Sequence, residues 1–105
     1  MVDAIARTDR KLKRSDPRYE AALINNIYDR RAEDFRASSE RERAAGDRAK
    51  GAGDRDKAQG KIERANAYYK MAKRHYATAK GDMSIVNNRY PQERAEALLV
   101  ARARR

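Results

Sequence analysis

The sequence predicts an all-α protein built from long amphipathic helices that pack side by side, as helices do in coiled coils. The first reason is a column of small residues, in which every seventh position from residue 37 to residue 79 is Ala or Gly. Two helical turns return a side chain to the same face, so this column marks a face that a second helix can approach closely. Its members are Ala37, Ala44, Gly51, Ala58, Ala65, Ala72 and Ala79.

The second reason is a composition too polar for a self-sufficient core. Charged residues make up 40% of the 105 residues, the net charge is +10, and Leu, Ile, Val and Phe together number only 13. A chain of that composition is either disordered or stabilised by partners. Because its apolar residues recur at helical spacing, we expect helices that are stabilised by copies of the same chain or by other proteins.

The N-terminal half begins with a cationic segment and continues as a long helical region. Residues 1–16 predict a basic arm or a short helix. Proline suits the first position of a helix, so Pro17 predicts the start of a region that extends to about residue 80. Leu23, Ile27 and Phe35 are the leading apolar positions of its first half.

This long region is predicted either as a helical hairpin or as one continuous rod. Gly46, Gly51 and Gly53 each disfavour a helix by about 1 kcal/mol relative to Ala, which places a possible turn at residues 46–53. The seven-residue spacing passes through these glycines without a change of phase, which instead favours a rod over residues 17–80. Both alternatives stay open on the sequence, and both need lateral partners.

Two further segments complete the predicted fold. Gly81 is a helix-stop signal, and residues 81–90, with their two adjacent asparagines, are predicted to form a loop. A short C-terminal helix is predicted over residues 91–105. It carries Glu93 near its start and arginines at its end, which matches the helix dipole.

The most regular amphipathic pattern lies between residues 58 and 79, where steps of four and three alternate small and large side chains. Such alternation allows a neighbouring helix to nest closely. We therefore predict a helix-packing interface of ten residues, seven from this segment and three from the N-terminal half. They are Ala58, Ile62, Ala65, Tyr69, Ala72, Tyr76 and Ala79, with Leu23, Ile27 and Phe35 as a second surface.

Residues 61–80 carry half of the net positive charge, six cations against one carboxylate. Cationic side chains bind phosphates without sequence preference, and Tyr68 offers a ring on which a base can stack. A solvated outer face of a packed helix explains the same pattern. The predicted polyanion-binding residues are Lys61, Arg64, Lys70, Lys73, Arg74 and Lys80.

The sequence offers no catalytic, metal-binding or cofactor-binding motif. It contains no cysteine and a single histidine, His75, which falls short of the ligand count of a zinc site. No phosphate-binding glycine motif is present, and no apolar run is long enough to span a membrane. With no secretory signal apparent, we expect a non-enzymatic protein in the cytoplasm or inside an assembled particle.

These observations predict a small basic helical subunit that packs into a larger oligomeric particle, such as a virion or another nucleoprotein assembly. A sequence-nonspecific DNA- or RNA-binding protein is the second hypothesis. A regulatory module that folds on one specific protein partner is the third.

Overall fold

The computed structural model describes residues 17–104, and helices account for nearly all of this part of the chain. Helix α1 is Pro17–Ala58, helix α2 is Ile62–Ser84, a π-helical segment is Ile85–Arg89, and helix α3 is Tyr90–Ala103. No strand occurs among the described residues. The all-α prediction and the C-terminal helix are confirmed, whereas the basic arm predicted at residues 1–16 lies outside the described residues.

The chain turns at residues 59–61, which confirms the helical hairpin. The predicted position of the turn, residues 46–53, and the alternative of a continuous rod over 17–80 are wrong. Gly60 takes the left-handed backbone conformation with φ of 79°. The amide of Gly60 donates to the carbonyl of Lys57 at 3.0 Å, and the amide of Lys61 donates to that of Asp56 at 2.8 Å. This pair of hydrogen bonds is a Schellman motif, in which a glycine ends a helix without a steric penalty.

The loop predicted at residues 81–90 is also wrong, because helix continues through Gly81 to Ser84 and then widens into the π-helical segment. Val86 lies in that segment and is buried. Burial of this side chain stabilises a helical backbone, and it outweighs the preference of the two adjacent asparagines for a loop. Helix α3 follows directly, so its first residues need no side-chain cap.

The described chain divides into two compact units. The hairpin unit contains residues 35–84, and the terminal unit contains residues 17–34 together with 85–104. In the hairpin unit, the last six turns of α1 lie antiparallel to α2 across the turn at 59–61. Its buried residues are small or polar: Ser39, Ala49, Asp56, Ala65, Ala72 and Ala79, with Gly46 and Gly53.

The terminal unit contains an aromatic contact and ion pairs. The rings of Tyr28 and Tyr90 meet edge to face, with centroids 5.6 Å apart and planes at 70°. Arg94 Nη1 donates to Asp29 Oδ1 at 3.0 Å, which adds a charged link between the same two segments. The buried residues of this unit are Ala32, Val86 and Ala101.

Candidate interaction surfaces

The hairpin unit is held together by tyrosine rings that lie against glycines. A Cβ atom on Gly46 would lie 2.7 Å from Cε1 of Tyr76, and one on Gly53 would lie 2.8 Å from Cε1 of Tyr69. Seven residues separate the two glycines on α1, and seven separate the two tyrosines on α2. The antiparallel register therefore repeats every two turns. Each ring occupies the space that the side chain of any residue larger than glycine would need at position 46 or 53.

These contacts explain why glycine is tolerated inside α1. Gly46 and Gly53 each cost helix stability, but they let α2 approach closely enough for a ring to pack on the backbone. Gly51 has no such role, since a Cβ there would meet only Arg55 Nη1, at 3.6 Å. Two of the three glycines that suggested a turn are thus packing positions within a continuous helix.

The seven-residue column has two different environments. Ala65, Ala72 and Ala79 on α2 are buried, with exposures of 1%, 4% and 2%. On α1 the column lies away from the buried interior, since Ala37, Ala44 and Ala58 are exposed and Gly51 is half-buried. The inward-facing column of α1 in the hairpin unit is a different one, formed by Ser39, Gly46 and Gly53.

The ten predicted interface residues are therefore divided among several locations. Ala65, Ala72 and Ala79 are buried within the chain, and Tyr69 and Tyr76 pack on glycines of α1. Leu23 and Phe35 are half-buried. The remaining three are exposed: Ile27, Ala58 and Ile62. Whether any of them contacts a second chain stays a prediction.

Sequence reasoning missed Ser39, Gly46, Ala49, Gly53 and Asp56, the inward residues of α1. A signal for them exists, because positions 32, 39, 46 and 53 are also seven apart and are all small: Ala, Ser, Gly and Gly. Two small columns therefore compete on α1. Period alone does not show which of them faces α2, since both repeat at the same spacing.

Hydrogen bonds across the hairpin unit fix its register. The buried hydroxyl of Ser39 donates to the carbonyl of Ala79 at 3.1 Å. The hydroxyl of Ser38 donates to Asp82 Oδ2 at 2.8 Å. On the same edge, His75 Nδ1 lies 2.6 Å from Glu42 Oε2, so the single histidine of the chain joins the two helices.

The two packed tyrosines donate hydrogen bonds to carboxylates on α1. Tyr69 Oη donates to Asp54 Oδ1 at 2.6 Å, and Tyr76 Oη donates to Asp47 Oδ1. The hydrogen bond to Asp54 raises the pKa of Tyr69, and the hydrogen bond to Asp47 raises the pKa of Tyr76, with smaller contributions from burial and from the carboxylate charge. Both hydroxyls are thereby stabilised in their neutral form.

Asp56 is a buried carboxylate beside the turn. Arg64 Nε lies 3.5 Å from its Oδ2, an atom without a hydrogen bond among the described residues. Arg64, one of the predicted polyanion-binding residues, thus lies next to this carboxylate, and its side chain is exposed. The carboxylate also lies near the start of α2, where the helix dipole favours negative charge.

The other predicted polyanion-binding residues are exposed, and they differ in where they lie. Lys61 follows the turn. At about 100° of rotation per residue, Lys70, Lys73, Arg74 and Lys80 fall within an arc of about 120° on α2. Arg64 lies outside that arc, about 80° from Arg74. Four of the six predicted cations thus share one side of α2.

Several large apolar side chains are exposed. In the hairpin unit they are Ile62 and Met71, which are 53% and 46% exposed. Met71 also lines an open depression with Arg64, Ala67 and Tyr68. In the terminal unit the exposed large apolar residues are Ile27, Leu99 and Val100.

Among residues 17–104, no three His, Asp or Glu side chains are grouped as metal ligands would be. No helix in this part of the chain is both long and apolar enough to cross a bilayer. Comparisons of the chain with protein-family models, with curated proteins and with solved structures find no match.

Proposed function

We propose that this protein is a non-enzymatic structural subunit that packs laterally with copies of itself in a larger helical assembly. The proposal is supported mainly by the large apolar side chains, which the helices expose rather than bury. Within the described residues, no large side chain is fully buried, whereas five large apolar side chains are exposed.

The hairpin unit buries little apolar surface, and this also supports the proposal. Its buried apolar residues are all alanines, and each fully buried methyl group contributes only about 0.8 kcal/mol. Ordering each residue of the chain costs about 1–2 kcal/mol. Additional apolar burial against a neighbouring subunit would offset this cost, as it does in helical bundles and coiled coils.

The surface best suited to a neighbouring subunit is the side of α2 that bears Met71 and the depression beside it. Ala67, Tyr68 and Met71 provide apolar area there, with Arg64 at its border. Leu99 and Val100 on α3 are a second candidate surface, in the terminal unit. A particle with an anionic interior, such as a virion or another nucleoprotein assembly, would balance the net charge of +10.

Sedimentation velocity of the full chain over a range of concentrations tests this proposal. We expect a concentration-dependent oligomer for the natural sequence and a shift towards monomer for Ala67→Gln with Met71→Gln, two exposed residues of the depression. Asn66→Gln with Ala77→Gln is the matched control, because both positions are exposed on α2 and lie about 120° or more around the helix from Met71. The control should sediment like the natural chain.

Two outcomes would overturn the proposal. One is a folded monomer at every concentration. The other is a monomer with little helicity by circular dichroism, which becomes helical only with a different protein; that result would favour the regulatory-module hypothesis.

A further inference from the structure

Four exposed cations surround the hydrogen bond between Tyr76 and Asp47. Arg43 and Lys50 lie one turn to either side of Asp47 on α1, and Lys73 and Lys80 lie one turn to either side of Tyr76 on α2. Since the hydrogen bond fixes where the two helices meet, these four cations share one edge of the hairpin unit. We call Arg43, Lys50, Lys73 and Lys80 the cationic edge.

The cationic edge carries charge that the chain itself leaves unpaired. No carboxylate among residues 17–104 forms an ion pair within 4.0 Å of any of these four side chains, although Arg64, Arg89, Arg94 and Arg104 do have such partners. Asp47, the carboxylate enclosed by the four, accepts the hydroxyl of Tyr76. Glu40 and Asp54 lie two turns away on either side of Asp47.

The spacing of these cations suits an extended polyanion. Residues seven apart on a helix are separated by about 10 Å along its axis, so Arg43 and Lys50, like Lys73 and Lys80, reach separate phosphates. Lys70 lies one turn before Lys73 and Arg74 follows Lys73 directly, and both extend the charge onto the outer side of α2. No carboxylate occurs on α2 between Glu63 and Asp82.

The same edge lacks the groups that other anionic partners require. A helix that lies on a membrane inserts several large apolar side chains. The exposed Met71 is on the other side of α2, and Ile62 lies three turns before Lys73, at the start of the helix. A single strand is bound by stacking its bases on aromatic rings. Tyr69 and Tyr76 lie against glycines, and Tyr68 lies in the depression with Met71.

We propose that the cationic edge binds the phosphate backbone of double-stranded nucleic acid without reading its sequence. Duplexes are favoured over single strands because their higher charge density releases more counterions for each phosphate neutralised. Binding at this edge is independent of self-association, since Met71 and its depression lie on the other side of α2.

Fluorescence anisotropy with a labelled duplex of mixed sequence tests the proposal when the full chain is titrated at increasing salt. The substituted chain carries Lys50→Gln, Lys73→Gln and Lys80→Gln. We expect its affinity at low salt to fall at least about tenfold, and its salt dependence (the slope of log K against log salt concentration) to decrease by about three.

The matched control is Arg41→Gln, Arg48→Gln and Arg55→Gln, which removes the same net charge from a different face of α1. The control should keep nearly all of the affinity and slope. Circular dichroism and sedimentation of both variants show whether the helices and the oligomer are retained. If the two variants lose affinity equally, binding depends on net charge alone and the cationic edge is not the site.

Two competitors complete the test. A single strand of the same length and vesicles of phosphatidylserine are each added to the preformed complex with duplex. We expect the duplex without label to compete best. Stronger competition by the single strand or by the vesicles would overturn the proposal in favour of base stacking or of membrane-surface binding.

Discussion

The two halves of the seven-residue column have the same spacing and nearly the same residues, yet they lie in opposite environments. Ala65, Ala72 and Ala79 are buried in the hairpin unit, whereas Ala37 and Ala44 are exposed on α1. The difference arises at Gly60, where the chain reverses. On α2 the column continues inward, and on α1 the inward position belongs to the column that contains Gly46 and Gly53.

This contrast shows how far a helical period determines packing. A column of small residues identifies a face that can accept a close neighbour, but its burial depends on whether a large residue is available in register opposite it. In the hairpin unit that large residue is a tyrosine, and it selects the glycine column of α1.

The largest expected effect comes from placing the same charges on each half of the column. Ala65→Arg with Ala72→Arg buries two unpaired guanidinium groups, and we expect the free energy of unfolding to fall by more than about 4 kcal/mol. Ala37→Arg with Ala44→Arg should change it by less than about 0.5 kcal/mol per site. Urea denaturation followed by circular dichroism, at equal protein concentrations, measures both. Equal losses would mean that the two halves are not distinguished by burial.

Adding one methyl group to a glycine of α1 tests the difference between inward and outward positions more precisely. Gly53→Ala brings a Cβ to 2.8 Å from the ring of Tyr69 and 3.2 Å from the carbonyl of Ala65, and we expect a loss of about 1–3 kcal/mol. Gly51→Ala, two residues away, should stabilise the protein by about 1 kcal/mol through helix propensity. Thermal unfolding distinguishes them by the sign of the shift in Tm. A stabilising Gly53→Ala would contradict the close packing described here.

Ser39 tests whether the inward column of α1 contributes polar as well as steric contacts. Ser39→Ala removes the buried hydroxyl that donates to Ala79, which should cost about 0.5–1.5 kcal/mol. Ser38→Ala removes a more exposed hydrogen bond to Asp82 and should cost less. Chemical denaturation of both variants ranks them. If Ser38→Ala were the more damaging, the buried bond would not be the dominant link.

The smallest expected effect concerns the tyrosine hydroxyls, whose contribution to stability depends on pH only in alkali. Hydrogen bonds from Tyr69 and Tyr76 to carboxylates raise the pKa of each hydroxyl above its ordinary value of 10.0. The folded chain therefore holds these protons more tightly than the unfolded chain, so this contribution to stability is complete below pH 10.0 and is lost as the pH rises further.

Comparing the natural chain with Tyr69→Phe and Tyr76→Phe isolates this contribution. The double variant should lose less stability than the natural chain between pH 9 and about pH 12. Tyr68→Phe is the control, because its ring lies in the depression with Met71. Unfolding by urea at each pH provides the measurement, and parallel profiles for all three chains would show that the hydroxyls do not contribute.

The sequence by itself determined the helical class, the C-terminal helix and the presence of a face that needs a close neighbour. These properties follow from periodicity and composition, which act locally along each helix. Leu23 and Phe35 were recognised as apolar positions, but their environment depends on the terminal and hairpin units in which they lie.

Only the tertiary structure decided which small column faces inward, where the chain turns and which cations come together. Gly46 and Gly53 resemble turn residues until the rings of Tyr76 and Tyr69 are seen to occupy the space above them. Gly60, with no side chain near it, is the residue that ends the helix. The physical reason is that a glycine's preference for a turn is worth about 1 kcal/mol, which packing between distant residues readily outweighs.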